Sequence, residues 1–212
     1  ILSTQVTERA TGEFTLGGGY STDAGFLADI GLRERNLLGT GIDARTNLTL
    51  AQKRSQVDIS VTDPQFLERN LVAGADVFLV QRNLQSTSGY NERRAGFTLR
   101  AGYEINEHLR QSWSYTLVDR DLYDVDAGAS RFIQEQAGST LLSQISTTVT
   151  YDRRDSRIEP RSGYVARAGS DLAGLGGDVY YVRLRGDGQY YIPFERLLGD
   201  PDYVLVFAVG GG

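Results

Sequence analysis

The feature that most constrains this chain is a unit of roughly ten residues in which apolar and polar side chains alternate, followed by a turn. The unit recurs about eleven times, with no helical pattern in between. In one such unit Leu48 and Leu50 lie on one face, whereas Asp43 and Arg45 lie on the other. Because side chains alternate along a strand, each unit has one apolar face and one polar face. The repeat therefore predicts an all-β chain.

The length of the units favours a membrane location. A tilted strand crosses a bilayer in about nine to eleven residues, and here the polar face carries charge near mid-strand. We therefore expect an antiparallel transmembrane β-barrel in which lipid, not a protein core, covers the apolar face. No run of about 18 apolar residues is present, which excludes a transmembrane helix. The net charge of −5 disfavours a nucleic-acid partner, and the absence of Cys removes thiolate chemistry.

The connections between strands indicate an orientation. The predicted strands are 13–20, 26–35, 42–51, 56–62, 71–80, 95–103, 109–117, 141–151, 164–172, 179–192 and 203–209. If the first strand ascends from the periplasm, the longest polar loops, Gln81–Arg94 and Val118–Thr140, lie outside, as in outer-membrane barrels. Aromatic residues then mark the two membrane boundaries. They are Phe14, Phe66, Tyr103, Tyr151, Tyr164 and Phe194 at the inner ends, and Tyr20 and Phe26 at the outer ends.

The strand number suggests a partial barrel. Complete bacterial barrels have an even number of strands, whereas eleven is odd. The chain also begins at Ile1 without a Met. We therefore expect a piece of a longer polypeptide, with residues 1–11 as the end of a preceding domain or a linker and residues 12–212 as a partial outer-membrane β-barrel.

Four segments resemble the BamA family of outer-membrane protein assembly barrels, within the bacterial surface antigen superfamily. They are Thr11–Gly25, which is similar to the family's first strand and hairpin; Glu34–Gly41, the turn after the second strand; Val61–Phe66, the exit of the fourth strand; and Tyr151–Asp155 followed by Pro160, Gly163 and Tyr164, which is similar to the family's Tyr-Asp-x-Arg-Asp…Pro-x-x-Gly signature. The segments occur in the family's order and cover nearly the whole chain.

The resemblance implies a role in assembling and inserting other proteins of the bacterial outer membrane, without enzymatic chemistry or a cofactor. It implies a sixteen-stranded barrel, of which this chain supplies about the first eleven strands, the N-terminal part. The expected partners are the lipid bilayer, unfolded outer-membrane protein clients, periplasmic POTRA domains and assembly lipoproteins, but no nucleic acid. Residues 1–11 would end the last POTRA domain. A related two-partner secretion or autotransporter-assembly barrel remains an alternative, as does a passive porin-like channel.

The first predicted strand carries the functional hypothesis. An edge strand presents unpaired N–H and C=O groups that can template a client strand, and these groups have no water to bind inside a bilayer. Glycines weaken such a strand, which would let the barrel seam open. The alternative is that the glycines only allow the barrel wall to bend. The residues that would pair with a client are Phe14, Thr15, Leu16, Gly17, Gly18 and Gly19.

The signature between the eighth and ninth predicted strands is the second candidate site. Its residues are Tyr151, Asp152, Arg154, Asp155, Pro160 and Gly163. One interpretation is a contact at the periplasmic rim with POTRA domains or a lipoprotein. The other is a turn that satisfies itself, in which aspartates accept backbone N–H groups, proline fixes φ and glycine ends the turn.

The remaining polar residues predict no catalytic or metal site. Asp119, Asp121, Asp124 and Asp126 miss the spacing of a calcium loop and fit a solvated acidic loop better. His108, the single histidine, lacks the partners of a triad or a zinc site. A group of charged residues of both signs is expected to face a hydrated barrel interior: Asp29, Arg33, Arg45, Asp58, Arg100, Arg183, Arg185 and Asp187.

Overall fold

The chain forms one antiparallel sheet of eleven strands that follow one another in chain order. The structure, a computed structural model, describes residues 11–22, 25–193 and 203–212. The strands are β1 (Gly12–Ser21), β2 (Gly25–Glu34), β3 (Asp43–Ala51), β4 (Arg54–Asp63), β5 (Leu71–Asn83), β6 (Asn91–Glu104), β7 (Leu109–Tyr123), β8 (Gly138–Asp152), β9 (Gly163–Ala173), β10 (Tyr181–Pro193) and β11 (Val204–Gly211). All eleven predicted strands are confirmed.

The central strands are longer than the sequence pattern indicated. The predicted outer loops Gln81–Arg94 and Val118–Thr140 were too long, because β5 to β8 continue into both of them. The actual connections are residues 84–90 and 124–137. The strand ends were missed because polar residues occur on both of their faces, so the alternation disappears while the backbone pairing continues. Side-chain pairs hold these extensions together, such as Arg120 Nε donating to Glu92 Oε1 at 2.7 Å.

Within the described ranges, helical structure is confined to the connections between strands. The two outer connections contain α1 (Gln85–Ser88) and α2 (Arg131–Glu135), and single 3-10 turns lie between β2 and β3 and between β4 and β5. None of the helices in the described ranges has the length and apolar character to cross a membrane.

The register places most large apolar side chains on one side of the sheet, the apolar face. A representative row runs from Leu16 through Ile30 and Leu48 to Val57 across β1 to β4. This face is not covered by a second layer of the described residues: Leu16 is 69% exposed, Val77 55% and Leu184 68%. An apolar surface of this extent requires an apolar solvent or partner. The exposure therefore supports the prediction that lipid covers this face.

The opposite side, the polar face, is lined by paired charges. Arg33 and Asp43 approach to 2.5 Å, and Arg167 and Asp187 to 2.9 Å. The eight charged residues predicted to face the barrel interior all lie on this face. Positive and negative side chains on this face thus neutralise one another in pairs, many of them between neighbouring strands.

Arg100 of β6 forms contacts on the polar face that extend across two other strands. Its guanidinium donates to both carboxylate oxygens of Asp76, at 2.6 and 2.9 Å, and to the hydroxyls of Ser60 and Thr62 on β4. The side chain can cross β5 because its direct partner there is Gly74, where a Cβ would lie 2.9 Å from the guanidinium. One arginine thus connects three strands.

Aromatic rings on β8, β9 and β10 form a row at one end of the apolar face. The ring centroids of Tyr151 and Tyr164 lie 5.8 Å apart, and those of Tyr164 and Tyr190 lie 6.3 Å apart. At the opposite end Tyr20 packs edge-on against Phe26 at 5.2 Å. Rings at both ends of an apolar band are typical of the two boundaries of a bilayer. The predicted Phe194 lies outside the described residues.

Candidate functional site

The first candidate site is the open edge of β1. Among the described residues β1 pairs only with β2, and β11 only with β10, so the sheet has two edges. All six predicted client-pairing residues, Phe14 to Gly19, lie within β1. The structure thus places them together at one edge of the sheet.

The direction of the backbone groups divides these six residues into two sets. The N–H of Arg35 donates to the carbonyl oxygen of Thr11 at 3.4 Å, so that pair is of the hydrogen-bonded kind. The carbonyl oxygen of Phe26, opposite Tyr20, instead accepts from Gln52 on the β3 side. Hydrogen-bonded and non-hydrogen-bonded pairs alternate along an antiparallel ladder.

The alternation selects every second residue of β1 for the open side. Residues that direct their N–H and C=O groups away from β2 are Gly12, Phe14, Leu16, Gly18 and Tyr20, whereas Thr15, Gly17 and Gly19 direct theirs toward it. The sequence pattern named a continuous run and omitted Gly12 and Tyr20. The period of two could have identified them, but only once one backbone bond to β2 was known.

The side chains of this set make the edge apolar. Phe14, Leu16 and Tyr20 lie on the apolar face and are 64%, 69% and 67% exposed. The edge therefore combines backbone groups that need partners with side chains that avoid water.

The glycines of β1 are not required by close packing. A Cβ built at Gly17, Gly18 or Gly19 would meet its nearest neighbour at 3.8 to 4.0 Å, an ordinary contact. None of the three has a positive φ. Larger residues would therefore fit the described sheet, and the glycines make β1 weaker than its surroundings demand.

The second candidate site is the turn between β8 and β9, and its first part is held by a buried ion pair. Arg154 donates from Nε and from a terminal nitrogen to the two carboxylate oxygens of Asp152, at 2.9 and 2.8 Å. The backbone N–H of Arg154 also donates to Asp152. The fork geometry fixes the chain direction directly after β8.

Asp155 organises the rest of this turn. Its carboxylate Oδ1 accepts backbone N–H groups from Ser156, Arg161 and Ser162, at 2.9, 3.0 and 3.1 Å. These bonds favour the charged form and hold the pKa of Asp155 below its ordinary value, with the N–H of Ser162 as the largest cause. The contacts support the interpretation of the motif as a self-satisfied turn.

The ionisation of Asp155 predicts a pH dependence. Because its pKa is depressed in the folded state, its contribution to stability is fully present above the ordinary carboxyl pKa and is lost as pH falls through the folded value. We expect Asp155→Asn to flatten the loss of stability in acid, measured as the urea midpoint of the full-length protein between about pH 6 and pH 2. Glu159→Gln is the matched control, since Glu159 is exposed in the same turn; an equal flattening there would contradict the assignment.

The other motif residues lie where the turn meets the sheet. Tyr151 belongs to the aromatic row, and Pro160 lies in the connection between the strands. Gly163 begins β9 with φ of 96°. A Cβ there would lie 2.1 Å from the carbonyl oxygen of Arg153, so only glycine fits.

The acidic residues near the outer end do not form one loop. Asp119 and Asp121 lie in β7, which corrects their predicted position in a loop. Asp119 accepts from the hydroxyl of Ser139, and Asp124 accepts from the amide of Asn91. Across the described ranges no group of three or more acidic or histidine side chains is arranged to hold a metal ion.

Comparisons with known proteins identify the family of this chain. Residues 36–212 match the Omp85 superfamily domain. The outer membrane protein assembly factor BamA of Neorickettsia risticii is 32% identical over 183 residues, which cover 86% of this chain and 25% of that protein. The BamA of Nitratidesulfovibrio vulgaris is 28% identical over 213 residues, which cover 100% of this chain and 26% of that protein. The chain thus spans about a quarter of the length of these relatives.

A solved structure shows the same fold. The crystal structure of BamA from Haemophilus ducreyi lacking POTRA domains 1–3 superposes with a TM-score of 0.71 at 20% identity, covering 96% of this chain and 41% of that chain. The predicted barrel wall, the resemblance to BamA and the outer-membrane location are confirmed by these relationships. With more than half of its residues matching the superfamily domain, the chain belongs to the Omp85 superfamily.

Proposed function

We propose that this chain forms the part of an outer-membrane assembly barrel that receives client strands, and that β1 templates them without covalent chemistry. The observation that carries the proposal is the open side of β1, where alternate residues direct their backbone groups outward at the level of exposed apolar side chains. The names of the two BamA relatives, outer membrane protein assembly factors, support a role in assembly.

The energetics favour strand addition at this edge. In hydrocarbon an unsatisfied backbone group costs several kcal/mol, because no water replaces the lost hydrogen bond. A client strand that pairs with Phe14, Leu16 and Gly18 satisfies these groups, and its own apolar side chains extend the apolar face. Binding is main-chain directed, so one edge can accept many client sequences.

Client release requires that the edge does not hold too tightly. Gly17, Gly18 and Gly19 lower the stability of β1 by roughly 0.5–1 kcal/mol each relative to alanine, although a Cβ would fit. The weakness therefore lies at the seam itself. A passive channel would gain nothing from a weak strand at this position, and the mixed charges of the polar face disfavour a strongly ion-selective pore.

The turn between β8 and β9 offers a surface to periplasmic partners. We infer that POTRA domains or assembly lipoproteins contact its tip, where Ile158 is 97% exposed and Arg157 is half exposed. The hydrogen bonds of Asp155 hold the turn in a fixed shape, so such a contact would require little ordering on binding.

The templating role predicts that the outward backbone N–H of Leu16 accelerates client assembly. In Leu16→Pro the outward N–H is removed while the bonds to β2 remain, and proline is tolerated at a sheet edge. We expect client assembly by the full-length protein in proteoliposomes to slow about tenfold, since one hydrogen bond is worth roughly 1 kcal/mol in water and more in lipid. The measurement is the rate at which a radiolabelled client becomes heat-modifiable.

Two control variants isolate the backbone group. Leu16→Ala removes the side chain but keeps the N–H, and we expect near-normal assembly. Thr15→Pro removes an N–H that β2 uses, so we expect it to destabilise the barrel. Normal client assembly by a folded Leu16→Pro protein would refute templating at β1.

A further inference from the structure

The outer end of the polar face carries more positive charge than its acidic residues can neutralise. Lys53, Arg54 and Arg82 line a cavity of about 400 Å³ between the ends of β2 to β5. The acidic side chain among the described residues that line it is Asp29, whose carboxylate accepts the hydroxyl of Thr49 at 2.6 Å. The cavity is therefore lined by three cations and one carboxylate.

Two pairs of arginines face each other across neighbouring strands at the outer end of the polar face, and the first pair also lines the cavity. Arg54 of β4 is the direct partner of Arg82 on β5, and Arg94 of β6 is the direct partner of Arg120 on β7. Like charges directly opposite each other destabilise a sheet. The carboxylate of Glu92 lies 2.7 Å from Arg120 and 3.9 Å from Arg82. Of these four arginines, Glu92 thus contacts only Arg120 and Arg82 within the described residues, and Arg120 also donates to the side-chain oxygen of Gln136 at 3.3 Å.

The hydrogen bonding of the cluster is also incomplete. The Nε of Arg54 is buried and has no partner within the described residues, although a terminal nitrogen of the same side chain donates to Gln56. Arg94 makes no side-chain hydrogen bond or ion pair within the same ranges. A buried donor on a charged group that lacks an acceptor is costly. Elsewhere on the polar face cations are paired with carboxylates, whereas the Nε of Arg54 and the side chain of Arg94 lack acceptors among the described residues.

We propose that the cluster of Lys53, Arg54, Arg82, Arg94 and Arg120 binds an oxyanion, a phosphate or carboxylate group, at the outer end of the polar face. Guanidinium groups present paired N–H donors that match the oxygens of such groups. Lipid headgroups are excluded because the cavity opens onto the polar face. The oxyanion is carried either by a soluble molecule or by another segment of the full-length protein.

The test measures thermal unfolding of the full-length protein in detergent, followed by heat-modifiability on gels, with and without about 20 mM inorganic phosphate at constant ionic strength. The variant is Arg54→Gln. The matched control is Arg93→Gln, which removes the same charge from the opposite face of the sheet, on β6. If a soluble oxyanion binds, phosphate raises the midpoint of the wild type and of Arg93→Gln by about 2–4 °C and leaves Arg54→Gln unchanged.

The other outcomes distinguish an oxyanion carried by the protein itself from the absence of any oxyanion site. If a carboxylate of the protein itself occupies the site, phosphate shifts no protein, and Arg54→Gln unfolds at a lower temperature than Arg93→Gln. The proposal is overturned if phosphate stabilises all three equally. It is also overturned if phosphate has no effect and Arg54→Gln is at least as stable as Arg93→Gln, as relief of repulsion alone predicts. Should Arg54→Gln fail to fold, Lys53→Gln is read in the same way.

Discussion

Gly163→Ala is expected to prevent the β8–β9 hairpin from closing and to destabilise the full-length barrel by about 3–5 kcal/mol. Two independent effects add at this residue. Its φ of 96° lies in a region that residues with a Cβ rarely adopt, and a Cβ would lie 2.1 Å from the carbonyl oxygen of Arg153. The obstacle is backbone, so no side-chain rotation can relieve it.

The position of the clash determines which contacts are lost. Arg153 donates its N–H to the carbonyl oxygen of Tyr164 at 2.8 Å, and Asp155 donates its N–H to that of Ser162 at 3.1 Å. Moving the Arg153 carbonyl far enough to admit a methyl group breaks this short ladder. The N–H groups that Asp155 accepts would then separate as well.

Gly41→Ala is the matched control for Gly163→Ala. Gly41 also has a positive φ, of 76°, and also lies in an inner turn, but a Cβ there would meet nothing within 4 Å. We expect Gly41→Ala to lower the free energy of unfolding by about 1–2 kcal/mol, the cost of placing a residue with a Cβ at positive φ. Urea unfolding of both variants, followed by tryptophan fluorescence, separates steric from conformational cost. Equal losses would show that the contact with Arg153 relaxes and that the turn is less rigid than its hydrogen bonds indicate.

The strands could be predicted from the sequence because lipid and water impose a period of two. Residues such as Leu48 and Asp43 differ strongly in polarity, so the pattern indicated each membrane-crossing strand and which of its faces is apolar. The period failed where polar residues occur on both faces of a strand. The outer ends of β5 to β8 were therefore mistaken for loops, although Glu92 and Arg120 pair there.

The candidate sites were predictable as segments but not as geometry. The resemblance of Tyr151–Gly163 to a family signature indicated the turn. The amino-acid sequence does not show, however, that Asp155 accepts hydrogen bonds from three backbone N–H groups. Likewise, the direction of each backbone group of β1 depends on its register with β2. Register and close approach arise between segments distant in sequence, which is why one-dimensional patterns leave them open.

Asp171 shows the same limit, because its importance depends on two arginines of the next strand. Its side chain is fully buried, and its carboxylate oxygens lie 2.8 Å from both Arg183 and Arg185. Breaking a buried ion pair from one side costs about 3–5 kcal/mol, because the remaining charges are left uncompensated. Since both arginines are half exposed, we expect Asp171→Asn to cost somewhat less, about 2–4 kcal/mol.

The matched control for Asp171→Asn lies on the neighbouring strand. Asp187 forms one pair with Arg167, and both side chains are more than 40% exposed, so Asp187→Asn should cost less than about 1 kcal/mol. Added salt should partly restore Asp171→Asn, because exposed guanidinium groups are screened. The triple variant Asp171→Asn, Arg183→Gln, Arg185→Gln should recover most of the loss, since it leaves no charge unpaired. If the triple variant is no more stable than Asp171→Asn in urea unfolding, shape rather than charge makes Asp171 important to the wall.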